Sequence, residues 1–135
     1  MNRRAFLAST AAFALLPFGL QAAEPILYTP GSAEAAMDEG RIVLLDFWAS
    51  WCSTCAAQER VLAALKAENP AYEQTITFYK VDWDLYAKDS LAKDLRIPRR
   101  STLVLLKGRE ELGRIVAGTS RAEIKALLEK AFAAG

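Results

Sequence analysis

The chain has 135 residues, with 17 Lys or Arg against 16 Asp or Glu and a formal net charge of +1. That balance excludes the strongly basic surface that binding to nucleic acid or another polyanion requires. Two cysteines and no histidine also exclude a zinc centre built by one chain, which needs about four nitrogen or sulfur ligands.

Taken in order, the first residues are not expected to join the fold. Arg3 and Arg4 precede an apolar run reaching Leu20, the charged-then-apolar order of an export signal, and Pro17 and Gly19 make the run a poor membrane span. Small residues at Ala22 and Ala23 suit a processing peptidase, so residues 1–23 are expected to be a signal peptide and residues 24–135 one domain. Residues 3–7 also resemble the twin-arginine pattern, with Asn2 where Ser or Thr is usual, so the Sec and twin-arginine routes both stay open and a periplasmic location is expected. The remainder, about 110 residues, is enough for one core but not two.

Residues 25–29 read as a short extended lead-in. Pro30 and Gly31 turn it, and Ser32 is expected to cap a helix ending at Glu39 before Gly40. Ile42–Trp48 is apolar except for Asp46, the pattern of a strand covered on both faces. Helical spacing of Ala57, Val61, Leu62 and Leu65 predicts a helix over 55–68, stopped by Asn69 and Pro70. A strand is expected over 76–81, helical character over 85–95, a buried strand over 102–106, and a return strand over 112–116 after a turn at Gly108. In the last helix Ser120 and Glu123 form a capping box, and Ile124, Leu127, Leu128 and Ala131 one apolar stripe. Strands alternating with helices, then a hairpin and a final helix, predict an α/β fold with a mixed sheet covered on both faces.

Both cysteines fall between the buried strand and the helix after it, spaced C-x-x-C as Cys52 and Cys55. Thiols at that spacing close a small disulfide ring, and the first sits where unpaired backbone N–H groups and the helix dipole favour a thiolate. In an oxidising compartment such a pair can also be a structural bridge. So short a loop, however, removes little unfolded-chain entropy, which favours a redox-active dithiol. A thiolate copper(I) module is the alternative, since soft thiolates select that ion, although Met37 is the one methionine left after the signal. Asp46 is a further sign of chemistry, because a carboxylate inside an apolar strand is costly to desolvate.

Leu45-Asp46-Phe47-Trp48-Ala49-Ser50-Trp51-Cys52-Ser53-Thr54-Cys55 resembles the strand and motif V-D-F-W-A-x-W-C-x-x-C of the thioredoxin family. Lys80-Val81-Asp82-Trp83-Asp84 resembles its next strand, and the likeness continues through Thr102-Leu103-Val104-Leu105-Leu106-Lys107. The resemblance implies a thioredoxin-like fold with helices on both faces of the sheet, and a thiol–disulfide oxidoreductase acting on protein substrates. A membrane electron donor is a candidate partner, no cofactor or metal is implied, and a monomer is expected. It also implies that Cys52 is the solvent-facing attacking thiolate and Cys55 the resolving thiol, that Asp46 takes the resolving proton under tuning by Lys80, and that Trp51, Ser101 and Thr102 border the substrate groove, with Trp48 in the core. Three departures stand out. Ser53-Thr54 replaces the family's Gly-Pro, without a basic residue to hold the thiolate; Arg60 stands where many members have a helix-kinking proline; and Ser101 stands where the family has a cis-proline. A cis bond before serine costs roughly 2.5–4 kcal/mol, so Arg100–Ser101 is expected to be trans, with Arg99 and Arg100 near an altered groove.

Overall fold

A computed structural model describes residues 22–135, so residues 1–21 of the expected 1–23 signal lie outside the described residues. The elements run β1 (Ile26–Leu27), α1 (Ser32–Asp38), β2 (Ile42–Trp48), α2 (Ser53–Glu68), α3 (Ala71–Thr75), β3 (Thr77–Asp82), α4 (Trp83–Tyr86), α5 (Ser90–Asp94), β4 (Thr102–Lys107), β5 (Glu110–Val116) and α6 (Arg121–Ala134). They form one five-stranded sheet in the order β1-β3-β2-β4-β5. The strand that is apolar at every position but one, β2, is central, parallel to β3 and antiparallel to β4. The expected mixed sheet is therefore present, with β1 added at its edge.

The two-residue period of β2 divides the core. Val43, Leu45 and Phe47 face the layer of α1 and α5, where Ala33, Ala36, Met37, Leu91 and Ala92 meet them. Ile42 and Leu44 face α2, α3 and α6, against Leu62, Leu65, Tyr72, Ile124 and Leu128. Asp46 is in phase with Ile42 and Leu44, so its carboxyl lies under α2. Lys80 is its register partner on β3.

Several boundaries differ from expectation for local reasons. Gly31, not Ser32, occupies the N-cap of α1, at φ 89, a left-handed conformation that glycine adopts readily. The Ser32 hydroxyl instead turns back to the Thr29 backbone. The helix ends at Asp38 rather than Glu39, and Gly40 at φ 78 closes it, with the N–H groups of Gly40 and Arg41 donating to the carbonyls of Met37 and Ala36. Asn69 and Pro70 do stop α2, but Pro70 also begins α3, because its fixed φ suits a helix start. The helical character expected over 85–95 resolves into α4 and α5, separated by residues 87–89. β5 begins at Glu110, two residues before its apolar stretch, because Glu110 and Glu111 pair with Lys107 and Leu106 through backbone bonds that hydropathy does not register. At the C-terminal end Ser120 Oγ accepts from the Glu123 N–H at 3.3 Å, and Ile124, Leu127, Leu128 and Ala131 are all buried.

Candidate active site

The site forms where β2 stops and α2 starts. Cys52 keeps extended backbone and is the N-cap of α2, its Sγ accepting the Cys55 N–H at 3.1 Å, the role a serine or aspartate oxygen has at other helices. Both cysteines are free thiols. The expectation of a solvent-facing Cys52 needs correcting, since it is 5% exposed against 0% for Cys55. Ala49, Trp48 and Trp83 close around the pair, and the Ser101 hydroxyl lies 3.1 Å from each sulfur.

The two thiols differ in acidity. Burial pushes Cys52 up, but hydrogen bonds from Cys55 and Ser101, with the Arg100 guanidinium nearby, outweigh it and bring the thiol down to about 7. Cys55 is raised, first by burial and then by its hydrogen bond to Cys52. Arg100 thus supplies the basic group that Ser53-Thr54 lacks. Its guanidinium carbon stands 4.4 Å from the centre of the Trp51 ring, and its buried Nε has no partner among the described residues.

Asp46 is buried beneath α2, and its Oδ1 has no hydrogen-bond partner among the described residues. Its carboxyl is pushed up to about 7, first by burial and then by the Glu59 carboxylate, with Lys80 pulling the other way. Lys80 does not pair with Asp46. Its ammonium forms an ion pair with Glu59 and sits 3.9 Å from the centre of the Trp48 ring, which is half-buried rather than in the core. A cavity of about 400 Å³ opens beside Asp46, lined by Leu44, Glu59, Leu62, Lys66 and Phe78 among others.

Trp51 is 60% exposed and is held beside Cys52 by Nε1–H donation to the Asp84 carboxylate at 3.0–3.1 Å. Ser101 and Thr102 do not border an open groove as expected, because both are fully buried. Thr102 donates its hydroxyl to the Arg99 carbonyl at 2.7 Å, which leaves it no face for a docking protein. Ser101 faces the thiols, and its preceding peptide is trans. Arg60 lies within an unbroken α2.

Two residues at the site escaped sequence reasoning. Glu59 and Gln58 follow Cys55 by four and three positions, a spacing that puts all three on one helix face. That spacing was the available signal. Gln58 is fully buried and donates to the carbonyls of Ser101 and Gly118, both at 2.9 Å. Arg100 was expected near the groove and does lie beside Cys52 and Trp51. Among the described residues there is no group of three or more His, Cys, Asp or Glu able to hold a metal ion, and Cys52 and Cys55 are the sulfur donors at the site.

A capped, acidic thiol paired with a buried, less acidic one is suited to thiol–disulfide exchange. The sequence model of the Thioredoxin family matches residues 29–130. A thioredoxin H-type of Brassica campestris is 33% identical over 97 residues, 72% of this chain and 73% of the relative. A thioredoxin of Mycolicibacterium smegmatis is 33% identical over 82 residues, covering 61% of this chain and 70% of that one. The crystal structure of Trxlp from Edwardsiella tarda superposes with a TM-score of 0.67 at 28% identity, over 78% of this chain and 98% of the other. Thioredoxin of Malassezia sympodialis, at 23% identity and a TM-score of 0.66, shares the fold over 80% of this chain and 94% of its own. The matched span takes in β2, the dithiol and the β4–β5 hairpin, and by sequence and fold together this chain belongs to the thioredoxin family of thiol–disulfide oxidoreductases.

Proposed function

We propose that this is an exported oxidoreductase that exchanges disulfides with protein substrates through Cys52 and Cys55. The observation that carries the reading is the difference between the thiols, one capped at a helix start and titrating near 7, the other fully buried and raised. In the reductive direction the Cys52 thiolate attacks a substrate disulfide. One substrate sulfur leaves with its bonding electrons, and a mixed disulfide remains on Cys52. Cys55 gives its proton to Asp46 and attacks Cys52 Sγ, releasing the second substrate sulfur as thiolate and leaving the Cys52–Cys55 disulfide. Asp46 suits that step because a carboxyl near 7 accepts and returns a proton around neutral pH. Glu59 and Lys80 set its poise. Trp51, exposed and fixed by Asp84, offers the docking protein an aromatic face beside the reacting sulfur.

In this reading residues 1–23 are the export signal and residues 24–135 the working domain, which acts as a periplasmic monomer and is kept reduced by a membrane electron donor. The order of charge and hydropathy ahead of Ala23 supports export. The test is expression of the full chain and its Cys55→Ser variant in a bacterial host, followed by fractionation. A periplasmic form shortened at its N-terminus, with protein adducts on the variant that a reducing agent releases, is expected. Full-length protein confined to the cytoplasm would refute export, and a variant without adducts would refute the assigned thiol roles.

A further inference from the structure

Ser101 is unusual in conformation and in position. It precedes β4 with φ 61, in the left-handed region that a non-glycine residue enters only when its surroundings hold it there. Its N–H donates to the Phe47 carbonyl at 2.7 Å, at the end of β2. Its own carbonyl accepts from the Ala117 N–H at 2.8 Å and from Gln58 at 2.9 Å. Gln58 spends its second N–H on the Gly118 carbonyl at 2.9 Å, so one side chain from α2 joins the loops at both ends of the β4–β5 hairpin. The backbone is thus fixed on both sides, and the rotatable part of Ser101 is its side chain.

That side chain reaches the reacting atoms. Oγ is 3.1 Å from Cys52 Sγ and 3.1 Å from Cys55 Sγ, in a pocket closed to solvent. A hydroxyl has one hydrogen to give and two lone pairs to accept with, so it donates to one sulfur at a time. A proline here would carry no donor. We propose that the Ser101 hydroxyl is a turning hydrogen-bond donor shared by the two sulfurs, holding the Cys52 thiolate until substrate is captured and then turning to the Cys55 thiolate.

This rests on the roles proposed for the two cysteines. Before capture the Cys52 thiolate is the stronger acceptor and takes the Ser101 hydrogen, alongside the Cys55 N–H. When Cys52 Sγ bonds to the substrate sulfur, the other substrate sulfur leaves as thiolate and the Cys52 charge is gone. Cys55 passes its proton to Asp46, and the freed O–H rotates about Cβ–Oγ onto the new anion. The Cys55–Cys52 bond then forms as the Cys52–substrate bond breaks, its electrons leaving on the substrate sulfur. Ser101 keeps its proton throughout, and one buried hydroxyl serves both halves of the exchange.

The test is Ser101→Gly, which removes the hydroxyl while suiting φ 61, with Ser101→Ala as a second variant should the first not fold. Arg100 beside Cys52, and Asp46 with Glu59 and Lys80 around it, stay in place. Each protein is reduced, mixed with insulin as a disulfide substrate in a single turnover, quenched with acid and weighed, and Cys52 alkylation is followed against pH. The expected result is a Cys52 midpoint raised by about one pH unit and a mixed disulfide released about tenfold more slowly, the size of losing one hydrogen bond to a charged sulfur. Thermal stability of the Gly variant should not fall. A variant with the wild-type midpoint and release rate would overturn the proposal. So would one in which the midpoint rises while release is unchanged, since the hydroxyl would then serve Cys52 alone. A wild-type control that exchanges no disulfide would refute the reading of the site itself, which separates that failure from failure of the switch.

Discussion

Replacing Asp46 by Asn should stabilise the protein in alkaline solution and not in acid. An aspartate free of the fold titrates at 3.8, whereas the folded carboxyl titrates at about 7, raised chiefly by burial and by Glu59. Between those values the folded state holds a proton that the unfolded chain has lost, so stability falls as pH rises through the window. At 1.36 kcal/mol for each pH unit, the ionised carboxylate costs the native state roughly 4 kcal/mol by pH 8 and nothing below pH 4. Asn lacks this titration. Its amide N–H groups must find partners where Oδ1 has none, and an unsatisfied buried donor costs about 1–3 kcal/mol. The variant should therefore be weaker than wild type by about 0.5–2.5 kcal/mol at pH 4, equal to it or more stable by up to about 2 kcal/mol at pH 6, and more stable by about 1–3 kcal/mol at pH 8. Urea unfolding of both proteins as dithiols at the three pH values reads this directly, because thiol titration common to the pair largely cancels in the difference. A stability difference independent of pH would mean that Asp46 is ionised in the fold throughout, and the argument for it as a proton acceptor near neutrality would fail with it.

Changes around Asp46 should move its titration in opposite directions. Glu59→Gln removes a cause that raises the carboxyl and should lower its midpoint, while Lys80→Met removes the ammonium that lowers it and should carry the midpoint upward. Carboxyl carbon chemical shifts against pH follow both, and movement in the same direction would contradict the network. Alkylation of the reduced wild type should reach half its maximal rate near pH 7 at Cys52, with Cys55 modified only in more alkaline solution. Peptide mass mapping distinguishes the sites, and equal labelling at neutral pH would refute the asymmetry. Ser120→Ala should cost about 1 kcal/mol in urea unfolding, because the Glu123 N–H loses its acceptor at the start of α6. A loss below a few tenths would mean that water replaces the cap.

The central strand was legible because burial on both faces leaves a plain trace, seven residues with one polar interruption. The interruption was informative too, since the period of two puts Asp46 under α2 once the register of β2 is known. The last helix showed itself through its cap and its stripe. What stayed hidden depends on contacts between elements. Residues 71–75 are too few to display a helical period, so α3 left only a proline that reads equally as a stop or a start. The family resemblance implied Lys80 beside Asp46, and the two are register partners, yet the group that claims the Lys80 ammonium, Glu59, comes from a helix packed on the sheet. Alignment placed Ser101 opposite the dithiol, but its left-handed backbone comes from hydrogen bonds to Phe47, Ala117 and Gln58. For the same reason a docking role for Ser101 and Thr102 was a fair inference from position and wrong in exposure.

The account stands most directly on whether Cys52 and Cys55 form a reversible couple. The purified protein is equilibrated over graded ratios of reduced to oxidised dithiothreitol and glutathione, acid-quenched, alkylated and weighed, with metal content measured on the same sample. The expected result is a single two-electron transition between dithiol and one intramolecular Cys52–Cys55 disulfide, with no stoichiometric metal. A pair that stays reduced or stays bridged at every ratio, or copper(I) held at one ion per chain, would contradict it.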